Sequence, residues 1–309
     1  MFNELLDKFI EELKRTGKSE NTIQAYATDI KQFQKWLFGT LGQETNDITE
    51  TDIREYKQYL STHKFLKGEI SRDEKAKKLS VTSINRKLKS VVQFQKFLYA
   101  KGITKATVNT KDVLQKNTIE SDHEVKIVEK QDLYKLKRTI EASGNKRDIC
   151  IYYLLFGTGI RVSELINLEV DDIHLTERNG KNNFSYIVVK GKGDKIRKIE
   201  LKAEVVKAIK EYLKVRPTTT SNKLLIGQRG AMTRLGINKL LEKYSKQAGI
   251  ETVTPHMARH TAFTMMIKNG VDVKTVASIA GHSSTDVTYK FYVSSKAEDR
   301  QKAVDSLEI

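Results

Sequence analysis

A chain of 309 residues has room for two domains, each with its own core. Hydrophobic residues make up 39% and charged residues 30%, and no apolar run approaches the roughly 18–20 residues a bilayer crossing needs, which speaks against a membrane-spanning protein. The net charge is +16: residues 1–117 carry 22 Lys/Arg against 15 Asp/Glu, and residues 118–309 carry 33 against 24. A basic excess in both halves fits a polyanion faced by both, although solvated lysine-rich helix faces give the same count, and charge alone cannot separate DNA from RNA. The start, Met1-Phe-Asn-Glu-Leu-Leu-Asp7, is acidic and amphipathic and does not read as a signal peptide. The single cysteine, Cys150, lies in the apolar stretch 148–156; it has no intramolecular disulfide partner and reads as a buried structural thiol. Both points favour the cytoplasm.

In chain order, Leu5, Leu6, Phe9, Ile10 and Leu13 recur at helical spacing, and Gly17 ends the run. Ser19-Glu-Asn-Thr22 offers caps for a second helix with the stripe Ile23, Tyr26, Ile30, Phe33, Trp36 and Leu37. Thr49-Glu-Thr-Asp52 caps a third, before Ile53, Tyr56 and Leu60. Residues 63–78 are basic and polar and read as a loop. Ser80-Val-Thr-Ser83 then caps a fourth helix carrying Ile84, Leu88, Val91, Val92, Phe94 and Leu98. Four or more helices make a bundle. Residues 115–125 are polar and aperiodic, and the linker is placed at 118–125. Val128-Glu-Lys-Gln-Asp132 opens the next helix, and a helix through Leu154 and Phe156 runs into Gly157-Thr-Gly159. Residues 184–201 read as two strands around a Gly-Lys-Gly-Asp turn, and most of the rest reads as helix.

The chemistry-bearing residues lie in four separate stretches. Arg161 follows the glycine-rich break and starts a helix with Val162, Leu165 and Leu168; Glu164 stands one turn on. Lys192 lies in the turn Lys190-Gly-Lys-Gly-Asp194, with Lys190 and Lys195 as rivals. His256 and Arg259 are three apart and share a helix face, with His260 beside them as a packing or capping residue. His282 follows Gly281, and Tyr289 and Tyr292 come seven and ten residues after it. Two guanidiniums can neutralise the non-bridging oxygens of a phosphodiester, histidines can move protons near neutral pH, and a tyrosine can attack phosphorus and hold it covalently. No third ligand at metal spacing accompanies the His256–His260 pair, and no metal or other cofactor is expected.

Four boxes in this order resemble the tyrosine recombinase (phage integrase) family, of the simple two-domain type similar to Xer-like recombinases and transposon-encoded resolvases and integrases. The resemblance covers nearly the whole chain: Lys18-Ser-Glu-Asn-Thr-Ile-Gln-Ala-Tyr26 with Asp29-Ile-Lys-Gln-Phe33 is similar to the family's core-binding helices, and residues 126–309 to its catalytic domain. It implies a mainly α (α+β) fold, with an N-terminal helical core-binding, SAM-like bundle over 1–117. The catalytic domain would be mostly helical with a small antiparallel β-sheet. It implies catalytic roles for Arg161, Lys192, His256, Arg259, His282 and the nucleophile Tyr292, with Glu164 bracing the groups around it. Tyr292, followed by Val293-Ser294, fits the family's spacing better than Tyr289; Ala258 stands where the family usually has leucine, a packing position.

The implied activity is site-specific recombination through a 3′-phosphotyrosyl intermediate and a Holliday junction, without metal or ATP. The implied partners are double-stranded DNA carrying an inverted-repeat core site, three further copies in a homotetramer on two sites, and accessory DNA-bound protomers. The tail 296–307 resembles a short amphipathic helix that in relatives docks on a neighbouring protomer. Three other readings stay open at this point: a DNA-binding protein of the same fold without the chemistry, a type IB topoisomerase-like activity, and a metal-dependent nuclease, which lacks its carboxylate cluster.

Overall fold

The computed structural model describes residues 2–66, 68–115, 126–176, 184–191, 195–281 and 288. The chain divides into two compact units, Met1–Asp122 and His123–Ile309. The proposed linker 118–125 lies outside the described residues, as do Lys192, His282, Tyr289, Tyr292 and the tail.

In the first unit, α1 (Phe2–Arg15), α2 (Glu20–Leu41), α3 (Glu50–Thr62) and α4 (Val81–Ala100) form the bundle, followed by the short α5 (Thr110–Val113). The start signals act as expected: Ser19 accepts from the Thr22 amide, Ser80 from the Ser83 amide, and Thr49 forms a full capping box with Asp52. The apolar stripes meet in one core, where Phe33 and Tyr56 pack edge to face at 5.0 Å and Phe9 and Phe94 at 5.4 Å. A charged pair, Asp29 and Lys87, is buried with them. The Asp29 carboxylate accepts from the Arg86 guanidinium, from Lys87 Nζ at 3.2 Å and from Ser90 Oγ at 2.8 Å, partners that offset its desolvation.

Residues 63–78 are not the loop expected of them. They hold a three-stranded antiparallel sheet in the order β2-β1-β3, from β1 (Lys64–Leu66), β2 (Glu69–Ile70) and β3 (Lys77–Lys78). Strands of two or three residues are too short to show an alternating pattern, and the half-buried Phe65 packs this sheet against the core.

The second unit runs α6 (Lys130–Ala142), α7 (Lys146–Thr158), α8 (Val162–Asn167), a 3-10 turn, β4 (Ile173–His174), β5 (Tyr186–Lys190), β6 (Ile196–Glu200) and α9 (Ala203–Leu213). There follow β7 (Ile226–Gly227), β8 (Gly230–Ala231), α10 (Arg234–Ala248), α11 (Pro255–Lys268) and α12 (Val273–Ala280). The expected hairpin is β5–β6, antiparallel, with Ile187 opposite Ile199 and Val189 opposite Arg197; β4 adds a third strand on the far side of β5. The fold is thus mainly α with small antiparallel sheets, as the sequence implies. Helix α7 packs against both α9 and α11, and Cys150 on it is fully buried in this unit's core, where burial pushes its thiol pKa well up. Among the described residues, no helix is long and apolar enough to cross a membrane.

Candidate active site

The first arginine is set by two local devices. Helix α7 stops at Gly159, which takes the left-handed conformation at φ 65°; a Cβ there would lie 2.7 Å from the Phe263 ring, so the position accepts only glycine. Two residues later Arg161 is the extended N-cap of α8, and its backbone N–H donates to Glu164 Oε2 at 2.9 Å. Its side chain turns the same way: Nη1 donates to Glu164 Oε1 at 2.9 Å and Nη2 to the Gly281 carbonyl at 3.2 Å. Its side chain stays 35% exposed, so the guanidinium is anchored but within reach of a ligand.

The second arginine comes from α11. Thr254 caps this helix by accepting from the Met257 amide at 3.2 Å, and Pro255 occupies its first position, where no amide is missed. Arg259 is only 5% exposed. Its guanidinium lies 4.6 Å over the Phe263 ring, while Nη1 donates to the Gly159 carbonyl at 2.6 Å and Nη2 to the Ala280 carbonyl at 2.7 Å. His256, one turn earlier, is exposed. Its Nε2 lies 2.7 Å from His260 Nε2 with the rings perpendicular at 87°, so one nitrogen of the pair carries the proton and the other accepts it. Partial burial of the ring, and then the Arg259 charge, hold the His256 pKa below its ordinary 6.5. A lowered pKa favours the neutral imidazole, the form that takes up a proton.

Helix α12 brings these parts together. It ends at Gly281, again left-handed at φ 62°, and its last three carbonyls each receive a different arginine. Ile279 O accepts from Arg197 Nε at 3.0 Å, Ala280 O from Arg259 Nη2 at 2.7 Å and Gly281 O from Arg161 Nη2 at 3.2 Å. These are carbonyls a helix leaves unpaired at its negative end, so guanidiniums suit them both as donors and as charges. Arg197 also donates to both Glu164 oxygens, each at 2.9 Å. Burial alone would raise the Glu164 pKa, but the Arg197 hydrogen bond, the Arg161 backbone bond, the Arg197 charge and the Arg161 side-chain bond outweigh it and hold it below 4.5.

Of the residues singled out in the sequence, Arg161, Glu164 and Arg259 therefore gather at the C-terminal end of α12, and His256 stands on the helix that carries Arg259. Of the rivals to Lys192, Lys190 ends β5 and Lys195 immediately precedes β6, both exposed. Among the described residues, no group of three or more His, Cys, Asp or Glu side chains is close enough to hold a metal ion. Sequence reasoning missed Arg197. The available signal was its place on the strand: Arg197, Ile199 and Leu201 alternate on the face opposite Lys198 and Glu200, and an inward arginine demands a carboxylate partner.

Comparison with known proteins agrees over almost the whole length. The Phage integrase family matches residues 126–299, and the Phage integrase, N-terminal SAM-like domain matches residues 6–102. The TnP I resolvase of Bacillus thuringiensis is 32% identical over 287 residues, 91% of this chain and 92% of its own. Tyrosine recombinase XerD of Staphylococcus epidermidis is 28% identical over 315 residues, 97% of each. Among solved structures, the XerH site-specific recombinase bound to difH substrate in a pre-cleavage complex has a TM-score of 0.68 at 21% identity, covering 97% of this chain and 83% of that one, a likeness of fold.

Proposed function

The chain belongs to the phage integrase family of tyrosine recombinases, and on that premise we propose how its residues carry out site-specific strand exchange on double-stranded DNA. The Tyr292 hydroxyl attacks the scissile phosphorus and gives its proton to His256. The bond to the 5′ oxygen breaks as the new phosphotyrosyl bond forms at the 3′ side, and Lys192 protonates the departing 5′ oxygen. Arg161 and Arg259 offset the charge that grows on the non-bridging oxygens, His282 donates to one of them, and Glu164 braces Arg161. The ester energy is kept in the phosphotyrosine, so a 5′ hydroxyl from the other duplex reseals the backbone with neither ATP nor metal.

The observation that carries this reading is the convergence of Arg161 and Arg259 on the carbonyls of Gly281 and Ala280, directly before His282. Two guanidiniums fixed on the carbonyls of adjacent residues make a preorganised anion clamp, and the neutral His256 supplies a base beside it. Residues 1–117 serve as the core-binding domain, 118–125 as the linker and 126–309 as the catalytic domain. The reaction is run by four copies on two inverted-repeat sites through a Holliday junction, with further DNA-bound protomers as accessories, in the cytoplasm.

The test is a nicked, site-bearing duplex incubated with protein in EDTA and run on a denaturing gel. A covalent adduct is expected with the wild type and with Tyr289→Phe, and none with Tyr292→Phe. Recombination of paired sites by the same preparation separates strand exchange from topoisomerase-like relaxation. Adduct formed by Tyr292→Phe but not by Tyr289→Phe would assign the nucleophile to the other tyrosine.

A further inference from the structure

Arg197 faces inward from β6, opposite Val189, at a position where a strand usually presents an apolar side chain. Its side chain is 14% exposed, bonds to two separate segments and lies close to a third. It forks onto both oxygens of Glu164 at the start of α8, it holds the Ile279 carbonyl near the end of α12, and its Nη1 lies 3.6 Å from where a Cβ on Gly191 would stand, at the near end of the β5–β6 turn. A Cβ on Gly281 would approach the guanidinium to 3.0–3.2 Å, so the helix end rests on Arg197 with no side chain between them.

The charge arrangement gives this packing a consequence. The Glu164 side chain is 4% exposed, and a carboxylate so placed requires a cation. Among the described residues only Arg197 and Arg161 pair with it. Arg197 takes both oxygens, while Arg161 reaches one of them through a single side-chain nitrogen. Without Arg197, the whole carboxylate charge would fall on Arg161 and draw its fork inward. We infer that Arg197 is a positioning residue for the strand-exchange reaction: it satisfies Glu164, so that Arg161 keeps its charge and its remaining donors for the DNA phosphate. The inference rests on the reading of Arg161 as part of the phosphate clamp.

The experiment compares rates of covalent-adduct formation on the nicked substrate at saturating protein, with DNA binding and thermal melting measured in parallel. Arg197→Ala should form adduct about 100-fold more slowly than wild type, the scale of a small misplacement of a reacting group, while still binding DNA. Adding Glu164→Gln should then speed the reaction by about 10-fold, because it removes the charge that captures Arg161, an effect of the size expected when two touching residues are coupled. In the wild-type background the same Glu164→Gln should slow the reaction, since it leaves Arg197 buried and unpaired. This reversal of sign is what a merely structural role would not produce. Arg197→Met, which keeps bulk beneath Gly281, carries the same comparison should the alanine variant fail to bind DNA. A double variant no faster than its Arg197 parent, or an Arg197 variant as fast as wild type, overturns the inference. Arg161→Ala is the control: a slow Arg161→Ala beside an unsuppressed Arg197→Ala sinks this inference alone, whereas a wild-type rate for Arg161→Ala removes the clamp on which it rests.

Discussion

His256 ties the proposed chemistry to pH. Its pKa is lowered by partial burial and by Arg259, so the neutral base persists below the ordinary 6.5. The acid limb of the cleavage rate should therefore fall with a midpoint below 6.5, measured as adduct formation between about pH 5 and 8. A midpoint above that value would remove His256 as the base. The same shift acts on stability: the unfolded imidazole binds more protons in that window, so its contribution is whole above 6.5 and is lost as pH falls toward the depressed value. The two arginines should separate by a different measurement. Arg161→Ala and Arg259→Ala should each cut cleavage by roughly 100-fold or more, and lysine should rescue poorly because a point charge does not reproduce the fork. Only Arg259→Ala should also lower the melting temperature clearly. It strips the buried Gly159 and Ala280 carbonyls of their donor, at about 1–3 kcal/mol for a buried group left unpaired. Equal melting of the two variants would contradict the buried role given to Arg259.

At the scale of elements, the end of α12 is the joint on which three arginines depend. Gly281→Ala should be doubly damaging. The left-handed backbone costs an alanine roughly 1–2 kcal/mol, and the new methyl would press on Arg197. Gly249→Ala at the end of α10 has the same backbone conformation at φ 65° but no atom within 4 Å of the new Cβ. It should lose similar stability in a denaturant melt and leave adduct formation unchanged. Equal catalytic loss in both would mean that the approach to Arg197 does not matter. The helix starts were legible because cap and stripe reinforce one another: Ser19, Thr49 and Ser80 each precede an apolar run of helical period, and each accepts an amide there. The β5–β6 hairpin was legible for its length and its glycine turn. The strands at 64–78 and β4, β7 and β8 were not, because two or three residues carry no period. Arg161, Glu164 and Arg259 could be named from their boxes. Arg197 belongs to none of those boxes: strand alternation turns it inward, but the partner that gives it meaning, Glu164, is 33 residues away in the chain.

For the molecule as a whole, the charge is spread over both units, and the proposed function makes both of them DNA-binding. A fragment of residues 126–309 should then bind the site more weakly than the full chain. Its log affinity should also depend less steeply on log salt, the slope shrinking by about 0.9 for each DNA phosphate that residues 1–117 would otherwise neutralise. Identical slopes would mean that residues 1–117 touch no phosphates. The two units also keep separate hydrophobic cores, and the chain's one thiol belongs to only one of them. Cys150 therefore makes a natural clock for the second unit. A colorimetric disulfide reagent can label it only when that core opens, and fraying of the first unit leaves it silent. Its labelling rate in the unmodified protein, with and without site-bearing DNA, would report how far the bound substrate slows opening of that unit, with no engineered probe and no background from a second thiol.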